Sequence, residues 1–138
     1  MLEGRSRFRS RLVNRFLDIL LLGVAGGLGT LLRAGCNTLS VWLCGHTFPW
    51  GTLFVNVTGS FAFGALYALI RSRAAFTSVH EAVMLVGLLG GFTTYSSFAF
   101  QSVELLASGR TLPALAYIVG TNVLAMAAAW AGLRLCGG

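Results

Sequence analysis

The stretch GGFTTYSSF, at residues 90–98, places two glycines, two threonines and two serines in the middle of an otherwise apolar run about long enough to cross a bilayer. Peptide groups that leave the helical pattern at membrane depth must be satisfied by protein, water or an ion. A helix broken at that depth therefore usually lines a binding site or a path. We expect the third helix of this chain to be broken at mid-membrane depth, and the break to carry its function.

The composition around this stretch is that of a membrane protein. Of 138 residues, 56% are hydrophobic and 10% are charged, and the mean hydropathy is +0.78, whereas soluble domains carry about 25% charged residues. Four apolar segments, at 16–35, 51–70, 82–106 and 112–135, each approach the roughly 20 residues that span a bilayer. The sequence predicts an all-α, four-helix transmembrane domain over 16–138, behind a basic tail at 1–15.

All ten basic residues are arginines, and they are unevenly distributed. With four spans, eight lie on the side of the N-terminus: Arg5, Arg7, Arg9, Arg11, Arg15, Arg71, Arg73 and Arg134. Arg33 and Arg110 lie on the other side. This bias predicts a multi-pass protein of a plasma or inner membrane with both termini in the cytoplasm. A basic tail beside a span is typical of an anchor to anionic lipid headgroups, so we expect lipid and not nucleic acid as its partner.

Several polar side chains fall within the predicted spans, and each has two readings. Asn56 is either an inter-helix hydrogen bonder or an N–H donor to a passing anion. Tyr95 and Phe98 share a helical face with Gln101, as a packing pair or as part of a polar track. Arg33 is either a snorkelling side chain or a cation at the mouth of an anion route.

In the fourth span, Tyr117 and Thr121 lie four residues apart on one face. They either bond between helices or extend the hydroxyl track of Ser97 and Gln101.

Other residues set expectations about packing and about excluded functions. Asp18 and Glu104 lie near span ends, which argues against a central carboxylate relay, and we see no nucleophile with an orienting base and thus no enzyme. We expect the glycines at 23 and 27 to form a close helix contact. We also expect 82–89 to be an ordinary lipid-facing helix, and 37–51 to be an aromatic-rich connection.

Several motifs together carry a family resemblance. They are the pattern Gly-Gly-x-Thr-Thr-aromatic-Ser-Ser-Phe at 90–98, Gly51-Thr52-Leu53 with Val55-Asn56, and Gly26-Gly27 with Leu32-Arg33. From about residue 18 onward the chain resembles the CrcB/Fluc fluoride channels. The resemblance implies passive, fluoride-selective export from the cytoplasm. It also implies a dual-topology antiparallel dimer with two fluoride pathways and a central sodium ion.

The resemblance assigns roles to residues. The backbone carbonyls of Gly90 and Thr93 match those that hold the sodium. The fluoride pathway that it implies comprises Arg33, Asn56, Tyr95, Ser97, Phe98, Gln101, Tyr117 and Thr121. This chain departs from the family at three of its positions: Tyr95 stands for a phenylalanine, Gln101 for a glutamate and Ala125 for a serine. A phenol keeps the electropositive ring edge that can face an anion.

Two other functions and two kinds of dimer stay open at this point. A small four-helix multidrug exporter would need a carboxylate in the middle of the first span, and Asp18 lies too near the basic tail. A non-conducting membrane assembly subunit would explain the glycines but not the polar track. We expect a homodimer, while the arginine bias permits a heterodimer with an inverted paralogue.

Overall fold

The computed structural model describes the backbone of residues 2–72 and 77–137, and the side chains of these ranges from Asn14 onward. The helices are α1 (Leu2–Cys44), α2 (Trp50–Ser72), α3 (Ser78–Glu81), a π-helical segment (Ala82–Leu89), α4 (Gly90–Phe92), α5 (Tyr95–Ala107) and α6 (Thr111–Cys136). The arginine side chains at residues 5–11, and Arg73 altogether, lie outside the described part of the chain.

Among the described residues, four segments are long and apolar enough to cross a membrane. They are Asn14–Cys44, Trp50–Ser72, Ser78–Ala107 and Thr111–Cys136. These segments confirm the predicted all-α, multi-pass architecture. The boundary between a basic tail and the domain at 15/16 stays a prediction.

The first helix is longer than the sequence predicts. Residues 37–44 were expected to belong to the connection between the first two spans, and this was wrong: α1 continues to Cys44. Residues 37–44 contain neither glycine nor proline, so nothing in them stops a helix. The helix ends at Gly45, whose φ of +75° is a left-handed conformation that favours glycine.

The segment 82–89 is not the ordinary lipid-facing helix that was expected. It is π-helical, and Leu85, Gly87 and Leu89 within it are buried. A Cβ on Gly87 would lie 3.0 Å from the Ala25 Cβ of α1. The segment is therefore a packing surface for α1, and π-helical turns of this kind are frequent at functional sites.

The glycines of α1 that make close contacts are not the pair that was expected. A Cβ on Gly23 or Gly27 would have no neighbour within 4 Å in this chain. One on Gly29 would lie 2.8 Å from the Phe92 backbone nitrogen, and one on Gly91 would lie 3.2 Å from the Gly26 Cα. Within this chain, therefore, the face of α1 toward the third span is the one carrying Gly26 and Gly29, and a close contact through the glycines at 23 and 27 stays a prediction.

A second close contact joins α2 to α6. A Cβ on Gly64 would lie 2.9 Å from the Leu133 nitrogen, and one on Gly132 would lie 2.8 Å from the Ala65 nitrogen. Toward the other end of these two helices, Phe98 and Leu105 of α5 form a buried cluster with Ala114 and Tyr117 of α6, and Leu53 of α2 packs against it. The second half of the third span is therefore positioned by α2 and α6, and the first half by α1.

Candidate functional site

The third span changes backbone conformation at two threonines. Thr93 (φ −81°, ψ 159°) and Thr94 (φ −152°, ψ 116°) are extended between the end of α4 at Phe92 and the start of α5 at Tyr95. Thr94 is the N-cap of α5, and its Oγ1 accepts a hydrogen bond from the Ser97 backbone N–H at 3.2 Å. Threonine is a favoured N-cap residue because its side chain satisfies an amide that the first turn leaves unpaired.

Asn56 of α2 pairs with this extended segment through both ends of its carboxamide. The Thr94 backbone N–H donates to Asn56 Oδ1 at 2.8 Å, and Asn56 Nδ2 donates to the Thr94 carbonyl oxygen at 3.1 Å. The residues are 38 positions apart in sequence. A single side chain thus supplies the extended backbone with the two bonds that a neighbouring strand would make.

These bonds take donors away from the two carbonyls that the resemblance assigns to sodium. In a continuous helix the Thr94 N–H would donate to the Gly90 carbonyl and the Ser97 N–H to the Thr93 carbonyl. Here the first donates to Asn56 Oδ1 and the second to Thr94 Oγ1. The Gly90 and Thr93 oxygens are therefore deprived of their helical donors.

A groove of about 490 Å³ opens at the end of the molecule where α1 meets α2 and α5 meets α6. The side chains of Thr52, Gln101 and Glu104 line it, with His46 and Arg110 from the two turns. It holds both charged and neutral hydrogen-bonding groups. This groove will be called the outer groove.

A second groove, of about 400 Å³, lies along the extended segment. Asn56, Thr93, Phe98 and Thr121 are among the residues that line it. It will be called the inner groove. On α2 the outer groove is lined by Thr52 and the inner groove by Asn56, four residues later, so the two grooves are about one helical turn apart.

Buried aromatic rings occupy the region between the grooves. The Phe98 ring centroid lies 5.2 Å from that of Tyr117, and Phe48 meets Tyr117 edge-on at 5.4 Å. The Tyr117 hydroxyl donates to Gln101 Oε1 at 2.9 Å. Two of the predicted residues, Phe98 and Tyr117, are thus in ring contact. A third, Gln101, accepts the hydrogen bond of the Tyr117 hydroxyl.

Two threonine hydroxyls on either side of these rings are buried, and neither makes a hydrogen bond of ordinary geometry among the described residues. Thr52 lines the outer groove and its hydroxyl interacts with the Tyr117 phenol, whereas Thr121 lines the inner groove. Thr52 is 1% exposed and Thr121 is 4% exposed. Burying a hydroxyl without a partner costs about 1–3 kcal/mol, and at Thr121 a bound ion or water would offset this cost.

The remaining predicted residues are placed less centrally. Tyr95 lines the inner groove but is 77% exposed, with its ring 5.6 Å from that of Phe98. Ser97 is half-buried and accepts from Thr94 Oγ1 at 3.1 Å. Arg33 is half-buried on α1, its Nε has no partner among the described residues, and it lines neither groove. Ala125, the third departure from the family pattern, lines the inner groove.

Sequence reasoning gave no functional role to three residues of this site. Thr52 stands four positions before Asn56, and that spacing on one helical face was a usable signal. Thr94 is of a residue type favoured at helix N-caps, which was a weak local signal for the start of α5. Phe48 comes from the turn before α2, and no local pattern indicates that it contacts Tyr117.

Comparison with known proteins agrees with the resemblance seen in the motifs. The family model for CrcB-like proteins, described as Camphor Resistance (CrcB), matches residues 20–133. A protein of Rhizobium meliloti named fluoride-specific ion channel FluC is 44% identical over 117 residues, covering 85% of this chain and 94% of the relative.

Proteins of the same name from other bacteria are also similar. The one from Thermus thermophilus is 41% identical over 118 residues, covering 86% of this chain and 94% of its own length. The one from Agrobacterium fabrum is 38% identical over 119 residues, covering 86% and 95%. The chain belongs to the CrcB-like family.

Proposed function

We propose that this protein is a fluoride-selective ion channel that exports fluoride passively from the cytoplasm. The relatives described above are named fluoride-specific ion channels, and an ion channel is not an enzyme class. The observation that carries the proposal is the pair of grooves one helical turn apart, separated by the buried contact of Phe98 with Tyr117.

The groups along this route suit a small anion. The hydroxyls of Thr52 and Thr121 and the side-chain amide of Gln101 offer neutral hydrogen-bond donors, the Tyr117 hydroxyl orients Gln101 by donating to its Oε1, and the aromatic rings offer electropositive edges. Neutral donors replace the hydration shell of an anion without holding it as strongly as a fixed positive charge would. Conduction requires binding that is strong enough for entry and weak enough for exit.

The test of this function is anion efflux from liposomes that contain the purified protein. We expect fluoride to leave rapidly and chloride to be retained, because closely placed donors fit the smaller ion. Equal efflux of both anions would contradict the proposal.

The proposed assembly is an antiparallel homodimer with two fluoride pathways. Its support is the exposed inner groove and the 77% exposure of Tyr95, an aromatic residue that a second subunit would cover. Cysteine labelling of the N-terminal tail in cells, on a background lacking Cys36, Cys44 and Cys136, would count the two orientations. If purified protein conducts only after an oppositely oriented homologue is added, the assembly is a heterodimer.

A sodium ion at the centre of this dimer is also proposed. The Gly90 and Thr93 carbonyls would hold it, since carbonyl oxygens are hard ligands suited to hard cations, and their helical donors are bonded elsewhere. When bound, the ion would supply positive charge to the two carbonyl oxygens, which lack their helical N–H donors. Within this chain, Asn56 and the Thr94 side chain keep those oxygens available.

The multidrug-exporter alternative gains no support from the placement of Asp18. Asp18 lines a separate groove of about 230 Å³ with Ser78 and Val83, at the opposite end of α1 from the outer groove. It is therefore remote from the buried polar residues of the route.

A further inference from the structure

Asn56 is bonded to the backbone of the extended segment and also lines the inner groove. Of the two hydrogens on its Nδ2, one donates to the Thr94 carbonyl, which leaves the second for a group in the groove. Its Oδ1 accepts the Thr94 N–H. The two ends of this carboxamide therefore serve different neighbours.

We infer that Asn56 is a positioning residue for the cation site: its Oδ1 holds the Thr94 N–H away from the Gly90 carbonyl and so leaves that oxygen free to bind sodium. The inference rests on the proposed function, since it concerns the proposed sodium ion. It assigns to Asn56 a task besides donation to an anion. One side chain would then couple the anion route to the cation site.

Two acceptors compete for the Thr94 backbone N–H. One is the Gly90 carbonyl, which α-helical pairing would use, and the other is Asn56 Oδ1, which accepts it here. The bond to Oδ1 measures 2.8 Å, and the extended φ and ψ of Thr94 match it. Without Oδ1 the buried N–H would lack a partner, and a lost bond of this kind favours refolding of the segment toward Gly90.

The two ends of the carboxamide can be separated by substitution. Asn56→Asp keeps an oxygen acceptor for the Thr94 N–H and loses the donor. Asn56→Ala removes both. A matched control is Asn122→Ala on α6, whose amide donates to the Ile118 carbonyl of its own helix at 2.7 Å.

The experiment measures the thermal stability of purified full-length protein as sodium chloride replaces N-methylglucamine chloride at constant ionic strength. A ligand that binds the folded state raises the melting temperature with concentration, so each variant yields a sodium midpoint. Hydrogen exchange of the peptide containing Thr94 is measured in parallel, and fluoride efflux of the wild type and of each variant is measured separately.

We expect the sodium midpoint of Asn56→Ala to rise about tenfold or more, because one or two hydrogen bonds are lost. The peptide containing Thr94 should exchange faster. Asn56→Asp should keep a midpoint near that of the wild type and a protected Thr94 amide, while losing fluoride flux. Asn122→Ala should keep the wild-type midpoint.

Three results would overturn the inference. One is a wild-type midpoint in Asn56→Ala. Another is an Asn56→Asp protein whose melting temperature no longer depends on sodium. This variant tests the inference even if Asn56→Ala does not fold. The third is a wild-type melting temperature that does not change with sodium concentration. In that case fluoride efflux would still test the channel function independently.

Discussion

Replacing Thr121 by valine should keep or raise the stability of this protein and lower its fluoride conduction. Valine has nearly the shape of threonine and a similar helix propensity, so the packing of α6 is kept. Thr121 is 4% exposed, and its buried hydroxyl has no hydrogen-bond partner among the described residues. Its removal relieves a desolvation cost of about 1–3 kcal/mol. We therefore expect Thr121→Val to be as stable as the wild type or more stable by up to that amount.

Fluoride flux should change in the opposite direction. If the hydroxyl contacts the ion or its water, losing about 1–2 kcal/mol of that interaction lowers flux roughly 5- to 30-fold. The assays are thermal unfolding in detergent without fluoride, and fluoride efflux from liposomes.

The matched control is Ser102→Ala. Ser102 is also a buried hydroxyl residue, but its Oγ donates to the Phe98 carbonyl at 2.7 Å. Its loss should cost about 0.5–1.5 kcal/mol of stability. A Thr121→Val protein that is less stable than the wild type yet conducts normally would refute the reasoning, since the hydroxyl would then be structural.

Three further variants test other parts of the structure. Phe98→Ile should lower fluoride efflux while size exclusion still shows the assembled protein, because it removes a ring edge between the grooves; normal efflux would make Phe98 a packing residue. Tyr95→Phe should retain efflux, since the two residues share the ring edge, and an inactive variant would make the phenol hydroxyl essential. Gly29→Ala should lose about 1–3 kcal/mol of stability or more in thermal unfolding, because its Cβ would meet the backbone of Leu88 and Phe92. Gly27→Ala, with no neighbour within 4 Å in this chain, is its control.

Much of the architecture could be predicted because hydropathy and length suffice to recognise spans. The four apolar segments and the family motifs needed only local sequence. The end of α1 was misplaced because aromatic residues near Trp42 resemble an interfacial turn, although no residue before Gly45 stops the helix.

The geometry of the site was less predictable because it depends on contacts distant in sequence. Nothing local to Asn56 indicates that its amide pairs with Thr94, 38 residues away. Phe48 likewise reaches Tyr117 from a different turn. The π-helical form of 82–89 also escapes prediction, since an apolar run has no periodic pattern that distinguishes it from an α-helix.

The contact of α1 with the segment before Thr93 has a consequence for how such chains can diverge. At Gly29 and Gly91 the two segments meet through backbone atoms, which every amino acid possesses. Mutational drift elsewhere on α1 can therefore change its volume, polarity and lipid preference while the separation between these two backbones stays the same. A designer could rewrite many other positions of α1, and the close approach at Gly29 and Gly91 would persist as long as Gly26 and Ala25, which face the third span, stayed small.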